Sequence, residues 1–278
     1  MNPMTDPSNL FTNETDFLLV LDSRNATKFY NGTYNSNVDF YLQDSIRFPR
    51  DSIKMTCSVL SFVCPNSMYV INETNNILNM VINSAMVFYT IPYGNYNANT
   101  LITYLSSVFP TGFKIVFNTI TNKFTLSNSS NFSISVSSTI GPIMGFTNGQ
   151  LYASTGNSFT LPYTCNFSGL QNLNIVFNNL STQNIDSYTK TNSSIIQPIP
   201  IAYNTAQIFY QRHDKYAFVV KQDIIDHINI CLQDDLQTYI NLNNQHWNLT
   251  LVFSVTRDIE RFKHIHSFNQ IVRYANYE

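Results

Sequence analysis

The stretch MVFYTIPYGNYNANTLITYLSSVFP (residues 86–110) changes the texture of the chain and decides how the fold is read. It begins as a strand, turns at Gly94-Asn95 and continues as a helix. Asn97 or Asn99 is placed to cap that helix, where a side-chain oxygen accepts from a first-turn amide that lacks a helical partner. Leu101, Tyr104, Leu105 and Val108 then recur at helical spacing, and Pro110 and Gly112 end the run. Downstream, FKIVFN (113–118) and KFTLS (123–127) read as a hairpin around TITN, and NFSISVS (131–137) alternates as a further strand. Residues 86–137 therefore read as a compact α+β unit.

On both sides of this unit the chain is strand after strand. DFLLVL (16–21) reads as a buried strand. NVDFYL (37–42) sets Val38, Phe40 and Leu42 against Asn37, Asp39 and Tyr41, the period of two of a half-buried strand. DSIKMTCSVLSFVC (51–64) is long and stops at Pro65. YVIN (69–72) and ILNMVIN (77–83) read as two arms of a hairpin across ETNN. After the unit come FTLPY (159–163), LNIVFNN (173–179), SIIQPIPI (194–201), QIFY (207–210), YAFVV (216–220), HINICL (227–232) and WNLTLVFSV (247–255), with turns at Asp234-Asp235 and Asn243-Asn244. The long separation between first and last strands suits a Greek-key or jelly-roll connection better than an up-and-down barrel. The predicted fold class is mainly β: a single jelly-roll sandwich with an inserted small α+β domain, mostly β with one helix. The chain divides into an N-terminal arm (1–15), an N-terminal jelly-roll segment (16–76), the insertion (77–160), a C-terminal jelly-roll segment (161–256) and a C-terminal tail (257–278) that forms a helix or arm.

Composition narrows the partners. Charged residues make up 12% of the 278 and the net charge is −2, about half the charged fraction of an ordinary domain. No basic face for nucleic acid follows from that balance. A surface covered by Asn, Ser, Thr and Tyr suits permanent protein contacts, because little charge must be desolvated; AT-rich coding produces the same bias. The N-terminus MNPMTDPSNLFTNETD lacks the basic and apolar regions of a signal peptide, and no apolar run approaches a membrane span. The expectation is a soluble product of the cytoplasm. Asn-x-Ser/Thr triplets such as Asn13, Asn31, Asn72, Asn166, Asn179 and Asn248 then read as coincidences of composition. Cys57 and Cys64 lie seven apart in one strand and by parity point to opposite faces; with Cys165 and Cys231 they read as buried free thiols.

Constellations that carry chemistry are absent or incomplete. STIGPIMGFTNGQLYAS (138–154) holds Gly141, Gly145 and Gly149 at G-x3-G-x3-G, which matches neither dinucleotide nor P-loop spacing and includes no cation for phosphate. It reads as turns: Ser138 or Thr139 caps a short helix, Pro142 sits in its first turn, Ile140, Ile143 and Met144 face inward, and Gly145 ends it. His264 and His266 lack a third metal ligand nearby, and Asp234-Asp235 lacks calcium-loop spacing. Asp214, Asp223 and Asp226 are candidates for paired carboxylates of glycoside hydrolysis, which sequence cannot place relative to one another. Trp247, flanked by leucine and phenylalanine, reads as core. No catalytic, cofactor-binding or metal-ligating residue is assigned, and no cofactor is expected.

IPYGNY and its helix (91–96), KFTLS (123–127), STIGPIMGF (138–146), QDDLQTYINLNN (233–244) and HWNLTLVF (246–253) occur in an order and spacing that resembles the penton or minor capsid proteins of virophages, polinton-like viruses and related large DNA viruses. The resemblance runs over roughly residues 16–255. It implies a non-enzymatic structural capsid protein forming pentameric vertex capsomers of an icosahedral DNA virus, with the insertion facing outward. Its implied partners are copies of itself and neighbouring major capsid protein capsomers. The exposed Asn, Ser, Thr and Tyr of an outward insertion add a host receptor or glycan as an expected partner, and composition predicts no membrane span and no specific nucleic acid. Its implied location is the capsid vertex of the virion, after synthesis in the host cytoplasm without secretion. The alternatives are another minor capsid or fibre-like virion component, or a carbohydrate-binding β-sandwich module.

Overall fold

Alternation of apolar side chains builds the strands of the first of two units. The computed structural model describes residues 12–48, 52–180, 184–185, 192–202, 206–211 and 217–258. Contacts divide the chain into Met1–Ser67 with Gln171–Glu278, and Met68–Leu170. The first unit contains β1 (Thr12–Asp22), β2 (Asn37–Arg47), β3 (Ser52–Pro65), β4 (Asn172–Phe177), β5 (Ile195–Pro200), β6 (Gln207–Gln211), β7 (Ile224–Gln233) and β8 (Asn248–Asp258). Two antiparallel sheets form, ordered β1-β8-β3-β6 and β5-β4-β7-β2. Short strands extend them: Phe218–Val219 pairs with β3, and Lys28–Phe29 pairs with β2.

The pairing is nested. β1 pairs with β8, β2 with β7, β3 with β6 and β4 with β5. This is one long hairpin whose arms are rolled so that β8 also meets β3 and β7 also meets β4. That topology is the jelly roll, and it confirms the predicted fold class.

Between the sheets lie Val38 and Phe40, Leu173 and Ile175, Ile228 and Ile230, and Leu249, Leu251 and Phe253, all buried. Trp247 is fully buried among them, with its ring 6.0 Å from Phe40 and 6.1 Å from Phe62. Its Nε1 donates to the Asn35 carbonyl at 2.8 Å and its backbone amide to Ser23 Oγ at 2.9 Å. A buried indole needs such a partner.

Two readings of this unit are corrected. DFLLVL is not a buried strand but the middle of an edge strand. Leu21 is buried while Leu18 and Val20 are 60% and 68% exposed, because β1 has β8 on one side and turns alternate residues away from the core. The cysteine parity is also wrong. Phe253 lies opposite Cys57 and Leu251 opposite Val59, but Leu249 lies opposite Phe62. The register shift is a β-bulge at Leu60, and one extra residue flips every later side chain to the other face. Met55, Cys57, Val59, Phe62 and Cys64 therefore share the core face. Along an extended strand Cys57 and Cys64 still stand about 23 Å apart, and all four cysteines are free.

The second unit has a core of its own. A four-stranded sheet runs in the order Tyr152–Ala153, Phe132–Ile134, Ile77–Ile82, Ala85–Thr90, and a three-stranded sheet in the order Ser158–Thr160, Lys123–Ser127, Lys114–Asn118. Helix α1 (Ala98–Val108) starts at Asn97, whose Oδ1 accepts from Thr100 N at 3.0 Å while Thr100 Oγ1 accepts from Asn97 N at 2.9 Å. This reciprocal box satisfies two amide donors and selects Asn97 over Asn99. Leu101 and Leu105 bury the apolar stripe of the helix against the unit's own core, together with Phe124, Leu126 and Ile134.

The YVIN–ILNMVIN hairpin does not form. Ile77–Ile82 pairs instead with Ala85–Thr90 through Asn83 and Ser84, both at positive φ (51° and 64°). That is the turn whose twist matches a two-residue hairpin. Residues 69–72 contribute a single bridge, Ile71 to Gly94. Because Ile71 and Leu161 are fully buried in this core, the unit extends from Met68 to Leu170, beyond the texture change at 77 and 160. Its two ends meet: a Cβ on Gly169 would lie 3.4 Å from Val70 Cγ2.

Candidate functional site

The glycine stretch folds as a closed clasp. Gly141–Met144 is one helical turn, and Gly145 ends it at φ 98°. Gly141 N donates to Asn148 Oδ1 at 2.9 Å, and Asn148 Nδ2 donates to the Thr139 carbonyl at 3.0 Å. The amides of Gly145 and Phe146 both donate to the Gly141 carbonyl, and Pro142 has no amide hydrogen. These donors are spent inside the loop, which is the opposite of a phosphate cradle. Neither Ser138 nor Thr139 caps the turn. Ser138 Oγ accepts from Asn79 N, and Thr139 Oγ1 accepts from Ile77 N. Both hydroxyls fasten the loop to the neighbouring strand, whose approach the sequence does not show. Gly141 and Gly145 are required by close packing. A Cβ would lie 2.4 Å from the Phe146 carbonyl oxygen in the first case and 2.3 Å from that of Tyr163 in the second. At Gly149 a Cβ would meet nothing within 4 Å, so only its φ of 79° demands glycine.

The carboxylates are scattered. Asp234 Oδ1 accepts from Leu236 N at 2.9 Å and Thr238 N at 2.7 Å, which makes the turn after β7. Asp235 accepts from Asn172 and Asn174 of β4 at 3.0 and 3.1 Å, pinning that turn to the sheet. Asp226 pairs with His227 Nδ1 at 2.8 Å on the surface, and that hydrogen bond holds its carboxyl below the usual range. The Asp223 carbonyl accepts from Phe48 N. Asp214, His264 and His266 lie outside the described residues. Among the described residues no three His, Cys, Asp or Glu side chains gather as a metal site would require. Burial pushes the Cys57 thiol far up, Cys64 to about 12 and Cys231 to about 11, so these sulfurs stay protonated at neutral pH.

The buried carboxylate that sequence reading missed is Asp39, on the outer side of β2. It accepts from the Tyr30 hydroxyl and from Asn229 Nδ2, the latter at 2.7 Å. Tyr30 is pushed up by donating to it. Asn229 Oδ1 in turn accepts from Asn178 Nδ2 at 2.6 Å, and Asn229 N donates to Asn179 Oδ1 at 2.9 Å. The strand alternation that placed Asn37, Asp39 and Tyr41 on one face was the available signal. Tyr30 is nine residues from Asp39, but Asn229, which reaches both Asn37 and Asp39, is about 190 residues away.

No family model matches the chain, and no curated protein matches it. Among solved structures, the crystal structure of the SeMet-labeled mavirus penton protein is similar, with a TM-score of 0.44 and 11% identity. The match covers 87% of this chain and 100% of that one. Among the described residues no helix is long and apolar enough to cross a membrane.

What the geometry offers is two unlike outer faces on the jelly roll. Across β1-β8-β3-β6, one row is Leu18, Val252 and Ser58, the next is Val20, Thr250 and Ser61, and a third ends in Val63 and Phe209. Phe209 is 62% exposed. This face is apolar and hydroxylic between Asp16 and Asp22. The outer face of β5-β4-β7-β2 instead carries the fixed Asn/Asp network around Asp39.

Proposed function

We propose that the chain is a structural, non-enzymatic capsid protein that forms pentameric vertex capsomers of an icosahedral DNA virus. The observation that carries this reading is the nested jelly roll with a separately cored unit, Met68–Leu170, between β3 and β4. A jelly roll is a rigid wedge whose two outer faces differ in chemistry, as head-to-tail contacts between identical copies require. Such heterologous contacts close into a ring when the rotation permits. The order of short motifs across residues 16–255 and the charge-poor surface support the same reading. In this role the inserted unit faces outward and meets a host receptor or glycan, the jelly roll contacts its own copies and neighbouring major capsid capsomers, and the protein made in the host cytoplasm ends in the virion. Mass photometry of the purified full chain tests it. The expected particle has five times the 31.9 kDa chain mass, about 160 kDa, and Val20→Lys reduces it to monomers that remain folded. A wild-type monomer or trimer overturns the vertex assignment, the trimer in favour of a fibre-like component.

A further inference from the structure

Between Met68 and Leu170 only Glu73, Lys114 and Lys123 carry charge at neutral pH, and the segment contains no Asp, Arg or His. An ordinary domain carries about a quarter of its residues as charges. What this unit presents instead is amide, hydroxyl and ring. Large rings stand out at Phe88, Tyr163, Tyr93 and Tyr69, which are 69%, 57%, 54% and 40% exposed.

Rings and amides come together at one place. Ile71 and Gly94 form a bridge, each amide donating to the other's carbonyl at 3.0 and 2.9 Å. Beside this single bridge Tyr93 and Asn95 are exposed, while Tyr96 is half-buried. Gly94 lets the Tyr96 ring lie against the backbone, since a Cβ there would come within 3.3 Å of the ring. Tyr104 meets Tyr96 edge-on at 6.4 Å and is held by its hydroxyl, which donates to the Thr90 carbonyl at 3.0 Å. Asn95 Oδ1 accepts from Val70 N at 3.0 Å, which leaves its amide nitrogen as a donor.

We propose that this tyrosine–asparagine cluster binds a neutral glycan. Sugar rings present apolar C–H faces that stack on exposed aromatic rings, and hydroxyls that pair with amides and hydroxyls. A sialylated or sulfated glycan needs cations. The unit's two lysines both lie on the 114–127 hairpin, and Lys123 Nζ already donates to the Pro162 carbonyl at 2.5 Å. A charged protein surface would bury charges here that find no counter-charge. A neutral glycan carries no charge to be steered or screened, so its binding is independent of salt.

The inference takes the glycan partner from the proposed capsid role and gives it a chemical class. The test is the full chain on an array of neutral hexose and N-acetylhexosamine oligosaccharides, beside their sialylated and sulfated forms, at low and high salt. Neutral oligosaccharides are retained equally at both salts. Tyr93→Ala weakens retention about tenfold and Ile120→Ser, at the exposed tip of the 114–127 hairpin, leaves it unchanged, both variants keeping the wild-type circular dichroism. Retention of anionic forms only, loss at high salt, no retention of neutral forms, or an unaffected Tyr93→Ala overturns the proposal. Mass photometry of the same samples separates the two readings: a pentamer that retains no glycan defeats this inference alone, and a glycan-binding monomer defeats the capsid reading alone.

Discussion

Gly145→Ala and Gly149→Ala place the same methyl group in the same loop and meet different surroundings. Both positions have positive φ, 98° and 79°, where an L-residue costs about 1–2 kcal/mol. At Gly149 nothing lies within 4 Å of the new Cβ, so that strain is the whole effect. At Gly145 the Cβ would lie 2.3 Å from the Tyr163 carbonyl oxygen and 2.9 Å from its carbon. These are backbone atoms, and Tyr163 N is tied to the Gly145 carbonyl at 2.9 Å, so the contact cannot be relieved by a rotamer change. Overpacking of this kind adds about 1–3 kcal/mol, for a total near 3 kcal/mol. In a unit of roughly this size each 1 kcal/mol lowers the melting temperature by about 4–8 °C. Thermal unfolding followed by far-UV circular dichroism should show a small shift for Gly149→Ala and one about two to three times larger for Gly145→Ala. Trp247, the only tryptophan, sits in the jelly-roll core, so its fluorescence reports on the other unit in the same sample. Equal shifts for the two variants, or a neutral Gly145→Ala, would refute the close-packing argument.

Asn97→Ala removes the side-chain half of the capping box and should destabilise the Met68–Leu170 unit by about 1 kcal/mol in urea titration; an unchanged midpoint would show the box to be ornamental. The buried thiols make stability fall in alkali. Cys64 keeps its proton to about pH 12 and Cys231 to about 11 when folded, whereas their ordinary value is 9.0. Between those limits the unfolded chain binds fewer protons than the folded one, so stability declines as pH rises above 9; denaturation midpoints from pH 7 to 11 test the sign, and Cys64→Ala should flatten the slope. Replacing residues 68–170 with a short Gly-Ser linker should leave a soluble jelly roll with its oligomeric state intact, because Val70 and Gly169 bring the ends of the excised unit together. Folded monomers from that deletion, seen by light scattering, would mean that the inserted unit holds the assembly together.

Local chemistry was readable from the sequence wherever its cause lies within a few residues. Period-two alternation located β2, strand-like runs marked β3, β7 and β8, the spacing of Leu101 and Leu105 located α1, and the chemistry of Pro142 and Gly145 located the short helical turn at 141–144. Tertiary structure decided whatever depends on a distant partner. Thr12 pairs with Asp258 across almost the whole chain, and no local pattern names such a partner. The bulge at Leu60 arises where β3 must match β8, and it alone puts Cys57 and Cys64 on one face against strict alternation. Asn83-Ser84 won the hairpin from ETNN because two residues at positive φ twist with the strands they join. Ser138 and Thr139 are competent caps by type, but the strand at Ile77–Ile82 offers their hydroxyls unpaired amides. Asp39 is a polar residue on an alternating strand until Tyr30 and Asn229 close over it. Side-chain type sets what a residue can pair with, and only the rolled sheets determine which partner arrives.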